Sequence, residues 1–167
     1  MSLSGPATST TEGQPMKLRH VLISLASAGT VAAGVGLAST AEAATPAVSF
    51  TRVYYNSPGA DNRSVTSLNQ EFFRLTNNTT AAINLNKWTV RDKANHVYTF
   101  PSFSLPAKAS VIVHTGKGTN NKPAWHRYWG SGNYIWNNTG DAATLKNAQA
   151  KTIDTCSWGS KGEHTYC

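Results

Sequence analysis

The histidines beyond residue 43, His96, His114, His126 and His164, are the side chains best suited to metal ligation or proton transfer near neutral pH. No H-E-x-x-H pattern holds any of them, and no two stand at i, i+2 or i, i+4, the spacings of a compact ligand pair. A metal would need ligands converging from distant segments, so no metal site and no cofactor is expected. The acids in the same stretch are Asp61, Glu71, Asp92, Asp141, Asp154 and Glu163. Nothing in their spacing selects a carboxylate pair for glycosidase-type acid–base work. Several fall in turn sequences, and Asp92 and Asp141 are expected to accept hydrogen bonds from local backbone. No G-x-S-x-G marks a nucleophile. The residues therefore predict a protein that is not an enzyme, with no catalytic residue to name.

Cys156 and Cys167 are the only cysteines, too few for a four-ligand zinc site or a cysteine-rich mini-protein. They lack the C-x-x-C spacing of a redox pair and read as a structural disulfide that ties the C-terminus to the last long strand. Chain entropy assigns such a short loop roughly 3 kcal/mol of stabilisation. The densest chemistry lies in residues 123–130 (PAWHRYWG), with Tyr134 and Trp136 just beyond. Trp125, Arg127 and Tyr128, flanked by Lys122 and Tyr134, could hold sugar rings, nucleobases or peptide side chains. The competing reading is burial, in which Trp129 and Trp136 close the edge of a core and only Trp125 and Tyr128 stay exposed.

The elements that must position these residues are short strands. Residues 48–56 (VSFTRVYYN) are β-branched and aromatic and stop at the turn cluster 57–62. Residues 71–76 (EFFRLT) alternate, with either Phe73 and Leu75 or Phe72 facing inward. Further runs at 82–85, 87–91, 96–100, 110–115, 134–136, 143–146 and 152–158 bring the expected total to about nine strands. Residues 115–133 stay ambiguous. No twelve-residue window carries a helical apolar stripe, so an all-β, antiparallel sandwich or barrel follows.

The whole chain has 167 residues, 40% hydrophobic and 14% charged, with a net charge of +7. The charged share is low against a typical ~25%, which excludes a coiled coil or long solvated helix. Residues 1–43 read as a leader whose secretory signal occupies 16–43. Lys17 and Arg19 precede an uncharged run from Val21 to Leu37, and Ala41-Glu42-Ala43 supplies a small-x-small cleavage pattern. Cleavage is expected between Ala43 and Ala44, with Met1 and Met16 both open as the start. The mature chain, 44–167, would then have no membrane span. Because Lys17 and Arg19 cancel Glu12 and Glu42, the whole net charge belongs to residues 44–167.

Three segments carry a resemblance. Residues 69–77 (NQEFFRLTN), 83–92 (INLNKWTVRD) and 138–141 (NTGD), followed by Leu145 and Asp154, resemble the motifs of the lamin tail domain family in its small secreted bacterial branch. The likeness runs over about 48–158 and implies an immunoglobulin-like antiparallel β-sandwich, which the strand count also suggests. Ala107 and Ala150 stand where the family often has Gly. A left-handed residue there would strain Ala, so turns of a different type are expected.

Function transfers less directly from a fold. The leading expectation is a secreted, non-catalytic binding or envelope-associated module. Its aromatic, basic region at 115–136 would contact a cell-wall or matrix polymer, another anionic or carbohydrate surface, or a protein partner. An extracellular nucleic-acid-binding protein is the alternative, and a secreted hydrolase the third reading. Oligomeric state is left open.

Overall fold

The computed structural model describes residues 44–167. The expected leader, residues 1–43 with Ala43 at its end, lies outside the described residues, and Ala44 is exposed at their start. In chain order the elements are β1 (Val48–Tyr54), α1 (Val65–Gln70), β2 (Phe72–Asn77), β3 (Ile83–Asn84), β4 (Thr89–Arg91) and β5 (Val97–Thr99). They continue with β6 (Ser104–Leu105), β7 (Ser110–His114), β8 (His126–Tyr128), β9 (Asp141–Lys146), β10 (Thr152–Trp158) and β11 (His164–Thr165). A five-stranded sheet runs β11-β1-β2-β7-β8, a four-stranded sheet runs β10-β9-β4-β5, and β3 pairs with β6.

Alternation explains the strands. On β2, Phe73, Leu75 and Asn77 are buried while Phe72, Arg74 and Thr76 face outward, which decides between the two faces the sequence allowed. On β9, Asp141, Ala143 and Leu145 take the inward places. β1 breaks its period with a bulge between Phe50 and Arg52. Thr51 and Arg52 therefore both stay on the outer side while Val53 returns to the core. The inner faces of both sheets meet in one apolar cluster. Phe73 is its hub, meeting Phe50, Tyr98, Phe100 and Trp136 edge-on at 6.0, 6.1, 6.5 and 6.1 Å between ring centroids.

The all-β, immunoglobulin-like sandwich stands, with more and shorter strands than the sequence suggested. Residues 134–136 are not a strand. Their backbone is held instead by the buried Glu71 carboxylate, which accepts from the N–H of Ile135 at 3.1 Å and of Trp136 at 2.9 Å. Within 115–133 the chain forms β8, which runs parallel to β7 against the otherwise antiparallel pattern. Six-residue α1 is too short to show a helical stripe. Ser64 caps it, accepting from the Ser67 N–H at 3.1 Å.

The two alanine turns diverge. Near Ala107 it is Lys108 that adopts φ +58°, so Ala107 carries no strain of this kind. Ala150 does take φ +61°, so that turn keeps the left-handed geometry a glycine would favour, contrary to the expectation of another type. Cys156 and Cys167 are joined, with 5.7 Å between their Cα atoms, as the cysteine count predicted. Among the described residues no helix is long and apolar enough to cross a membrane.

Candidate functional site

The connection from β7 to β8 folds back on itself. The Lys122 N–H donates to the Thr119 carbonyl at 3.1 Å, Asn121 N–H to the His126 carbonyl at 2.8 Å, and His126 N–H to the Pro123 carbonyl at 3.2 Å. The Lys122–Pro123 peptide is cis. Trp125 then sits at φ +66°, its carbonyl accepting from the Ile112 N–H at 3.1 Å. Its backbone is thus fixed to the sheet while its indole remains 44% exposed. The indole forms one wall of an open cleft of about 350 Å³, whose other lining residues are Phe103, Ser104, Asn121, Ala124 and Arg127.

Arg127 departs from the sequence expectation of a solvent-facing cation. The strand period on β8 turns it inward, opposite His126 and Tyr128, and it is only 5% exposed. Its guanidinium lies 4.2 Å from the Phe103 ring centre, a cation–π distance. Nη1 donates to the Asn121 Oδ1 at 2.6 Å and, more weakly, to the His126 carbonyl at 3.4 Å. Nε is buried without a partner. Among the described residues no carboxylate pairs with it. A buried cation held only by neutral groups keeps much of its desolvation cost.

The remaining expected binding residues do not gather there. Exposed Lys122 supplies a carbonyl that accepts from the Tyr128 hydroxyl at 3.0 Å. Tyr128 is half-buried on the outer side of β8, its ring 5.2 Å from His114. Tyr134 bonds through its hydroxyl to Ser67 Oγ on α1 at 2.7 Å. Trp136 is buried, and Trp129 packs against Phe73 and Tyr98, as the burial reading held for both. Phe103 and Asn121 were not legible as site residues, because each reaches Arg127 only through the tertiary fold. The inward turn of Arg127 had a signal: alternation through His126-Arg127-Tyr128 places it on the opposite face.

The buried acids, Glu71, Asp92 and Asp141, accept from backbone N–H groups. Asp92 accepts from the His96 N–H at 2.8 Å and meets His96 Nδ1 at 2.6 Å. Asp141 accepts from the N–H groups of Ala142, Lys93 and Asn137 at 2.8, 3.1 and 3.2 Å. Burial pushes the Glu71 carboxyl up to about 7, against the lowering effect of its backbone N–H donors.

His114 and His126 do converge, on neighbouring strands. His114 Nδ1 lies 2.6 Å from the Asn69 carbonyl. A carbonyl only accepts, so this nitrogen carries the proton. Nε2 of His114 is then the acceptor for His126 Nδ1 at 2.7 Å. Burial holds both imidazoles below their ordinary pKa, favouring the neutral forms that this chain of bonds requires. Among the described residues no group of three His, Cys, Asp or Glu side chains could hold a metal ion.

An all-β sandwich whose buried carboxylates bind its own backbone, and whose open cleft joins a tryptophan to an arginine, has the form of an immunoglobulin-like binding module. The family model of the lamin tail domain matches residues 41–160, and the chain belongs to that family. No curated protein matches it.

Proposed function

We propose that residues 44–167 act as a secreted, non-catalytic binding module that holds an anionic group of its partner in the cleft beneath Trp125. A cell-wall or matrix polymer, or an acidic segment of a protein, is the partner this reading favours. The observation that carries it is Arg127, a buried cation with no carboxylate partner among the described residues, in the lining of an open cleft. An incoming anion would supply the missing countercharge, and the exposed indole would cover it. The leader sequence supports export, and the disulfide suits an oxidising compartment.

Sedimentation with purified bacterial cell walls tests the proposal, comparing the protein with its Trp125→Ala and Arg127→Met variants. The protein is expected in the pellet and both variants in the supernatant; an unbound parent protein, or variants that bind equally well, overturns it. The net charge of +7 supports nucleic acid as a second reading. That reading requires a DNA mobility shift that weakens steeply with salt.

A further inference from the structure

The outer face of the five-stranded sheet carries three parallel rows. In one row the register aligns His164 with Tyr54, Tyr54 with Phe72, Phe72 with His114, and His114 with Tyr128. A ring thus stands on every strand, over roughly 19 Å at ordinary strand spacing. About 7 Å further along the strands, Arg52 is in register with Arg74. Beyond them lie hydroxyls: Thr51 Oγ1 is 3.2 Å from Thr76 Oγ1, which is 2.8 Å from Ser110 Oγ.

Like charges directly opposite on neighbouring strands are destabilising. Among the described residues, neither Arg52 nor Arg74 has a carboxylate within 4.0 Å. Arg52 rests on ring systems instead, 5.2 Å from the centres of Tyr54 and Tyr166. The acid on this face is Glu163, which accepts from the Tyr54 hydroxyl at its margin. The pair of guanidiniums is therefore a positive centre that no carboxylate among the described residues pairs with.

Ring geometry narrows the ligand. His164 and Tyr54 lie 5.3 Å apart with planes within 22°, Tyr54 and Phe72 5.6 Å apart within 29°, and His114 and Tyr128 5.2 Å apart within 23°. Near-parallel rings at these separations overlap only in part, and Phe72 meets His114 edge-on at 5.9 Å and 63°, so the row offers ring edges beside partly covered faces. Ring edges carry the positive end of the quadrupole and attract oxygen rather than stacking on another ring. A nucleobase would find ring faces already partly covered by their neighbours, whereas hydroxyls and carboxylates would meet ring edges, guanidiniums and hydroxyls in turn.

We infer that this sheet face is a binding surface for an acidic polysaccharide, with Arg52 and Arg74 pairing its carboxylates and Thr51, Thr76 and Ser110 bonding its hydroxyls. The surface lies on the opposite side of β8 from the Trp125 cleft and does not depend on it.

Affinity electrophoresis of the protein in gels containing polygalacturonate tests the inference, with neutral dextran and a single-stranded DNA oligonucleotide as comparisons. Polygalacturonate is expected to retard the protein in a salt-dependent way, and dextran is not. Arg52→Gln/Arg74→Gln should lose about tenfold in affinity or more, corresponding to ~1.4 kcal/mol. Arg74→Lys, which keeps the charge but not the planar fork, should lose about threefold, and supplies the result if the double variant does not fold. Lys151→Gln, at an exposed lysine between β9 and β10 and outside both surfaces, should bind polygalacturonate like the parent, showing that the loss is not one of net charge alone. An unretarded parent protein, undiminished binding by the folded double variant or by Arg74→Lys, or tighter binding to the oligonucleotide than to polygalacturonate overturns the inference.

Discussion

Arg127 separates stability from function at the level of one side chain. Replacing a buried, unpaired cation by an apolar residue of similar length removes a desolvation cost, so Arg127→Met is expected to melt at the same temperature or higher, while the cleft loses its anion partner. A melting temperature several degrees lower would show that Arg127 is chiefly a structural residue. Ala150 offers the converse test. Its φ of +61° places Cβ against the carbonyl, so Ala150→Gly should stabilise by about 1 kcal/mol, read by urea unfolding. Titration adds a third prediction, because two groups act in opposite directions. Glu71 has its folded pKa raised from 4.5 to about 7; its stabilising contribution is present below 4.5 and is lost as pH rises through 7, a span worth roughly 3 kcal/mol. His114 and His126 are held below 6.5, so their contribution is present above 6.5 and is lost on acidification. From about pH 7 to pH 5, Glu71→Gln should therefore lose stability more steeply than the parent, and His114→Gln/His126→Gln less steeply. Melting curves parallel to those of the parent would contradict both assignments.

At the scale of elements, polar side chains join pieces that ladder bonds leave apart. Asn77, fully buried at the end of β2, donates from Nδ2 to the carbonyls of Ala81, Leu105 and Pro106 at 2.8, 3.0 and 3.0 Å. It thereby fixes the β3–β6 pair to the large sheet. Asn77→Ala leaves those carbonyls short of a donor, at roughly 1–3 kcal/mol for each that stays unsatisfied; a loss below 1 kcal/mol in urea unfolding would show that water replaces the amide. Asn77 also begins an Asn-Asn-Thr sequence, a formal glycosylation site that its burial removes from access. Long alternating segments such as β1, β2, β7 and β9 were legible because half their residues are committed to one core. β6 and β11, of two residues each, have no period to read. They exist through pairing with strands remote in sequence, β3 and β1, which is tertiary information. The same reason hid most of the cleft: Trp125 was visible as an exposed aromatic, but Phe103 and Asn121 are remote in sequence or chemically plain.

Viewed as a whole, the molecule turns its low charged fraction into a division of labour. Its buried acids anchor backbone inside the sandwich, while Arg52, Arg74 and Arg127 have no carboxylate partner among the described residues. Three of the cations behind the net +7 therefore stand where an anion could be received, beyond a general aid to solubility. The family resemblance was readable from order and composition alone, whereas the three rows on the outer sheet face became visible only once register was known. The two-residue β11 covers the flank of β1 at Val53 and Tyr54, and the bond from Cys156 to Cys167 keeps it within reach. Under reducing conditions that guard keeps its ladder bonds, the Tyr54–His164 stacking and the bonds from the Tyr55 and Asn56 N–H groups to the Glu163 carbonyl, without a covalent tie. Its departure would bare a row of unpaired amides and carbonyls on a long strand, a template onto which a second copy can add its own edge. Oxidation would then govern self-association as well as stability, and light scattering of the protein before and after thiol treatment would reveal it.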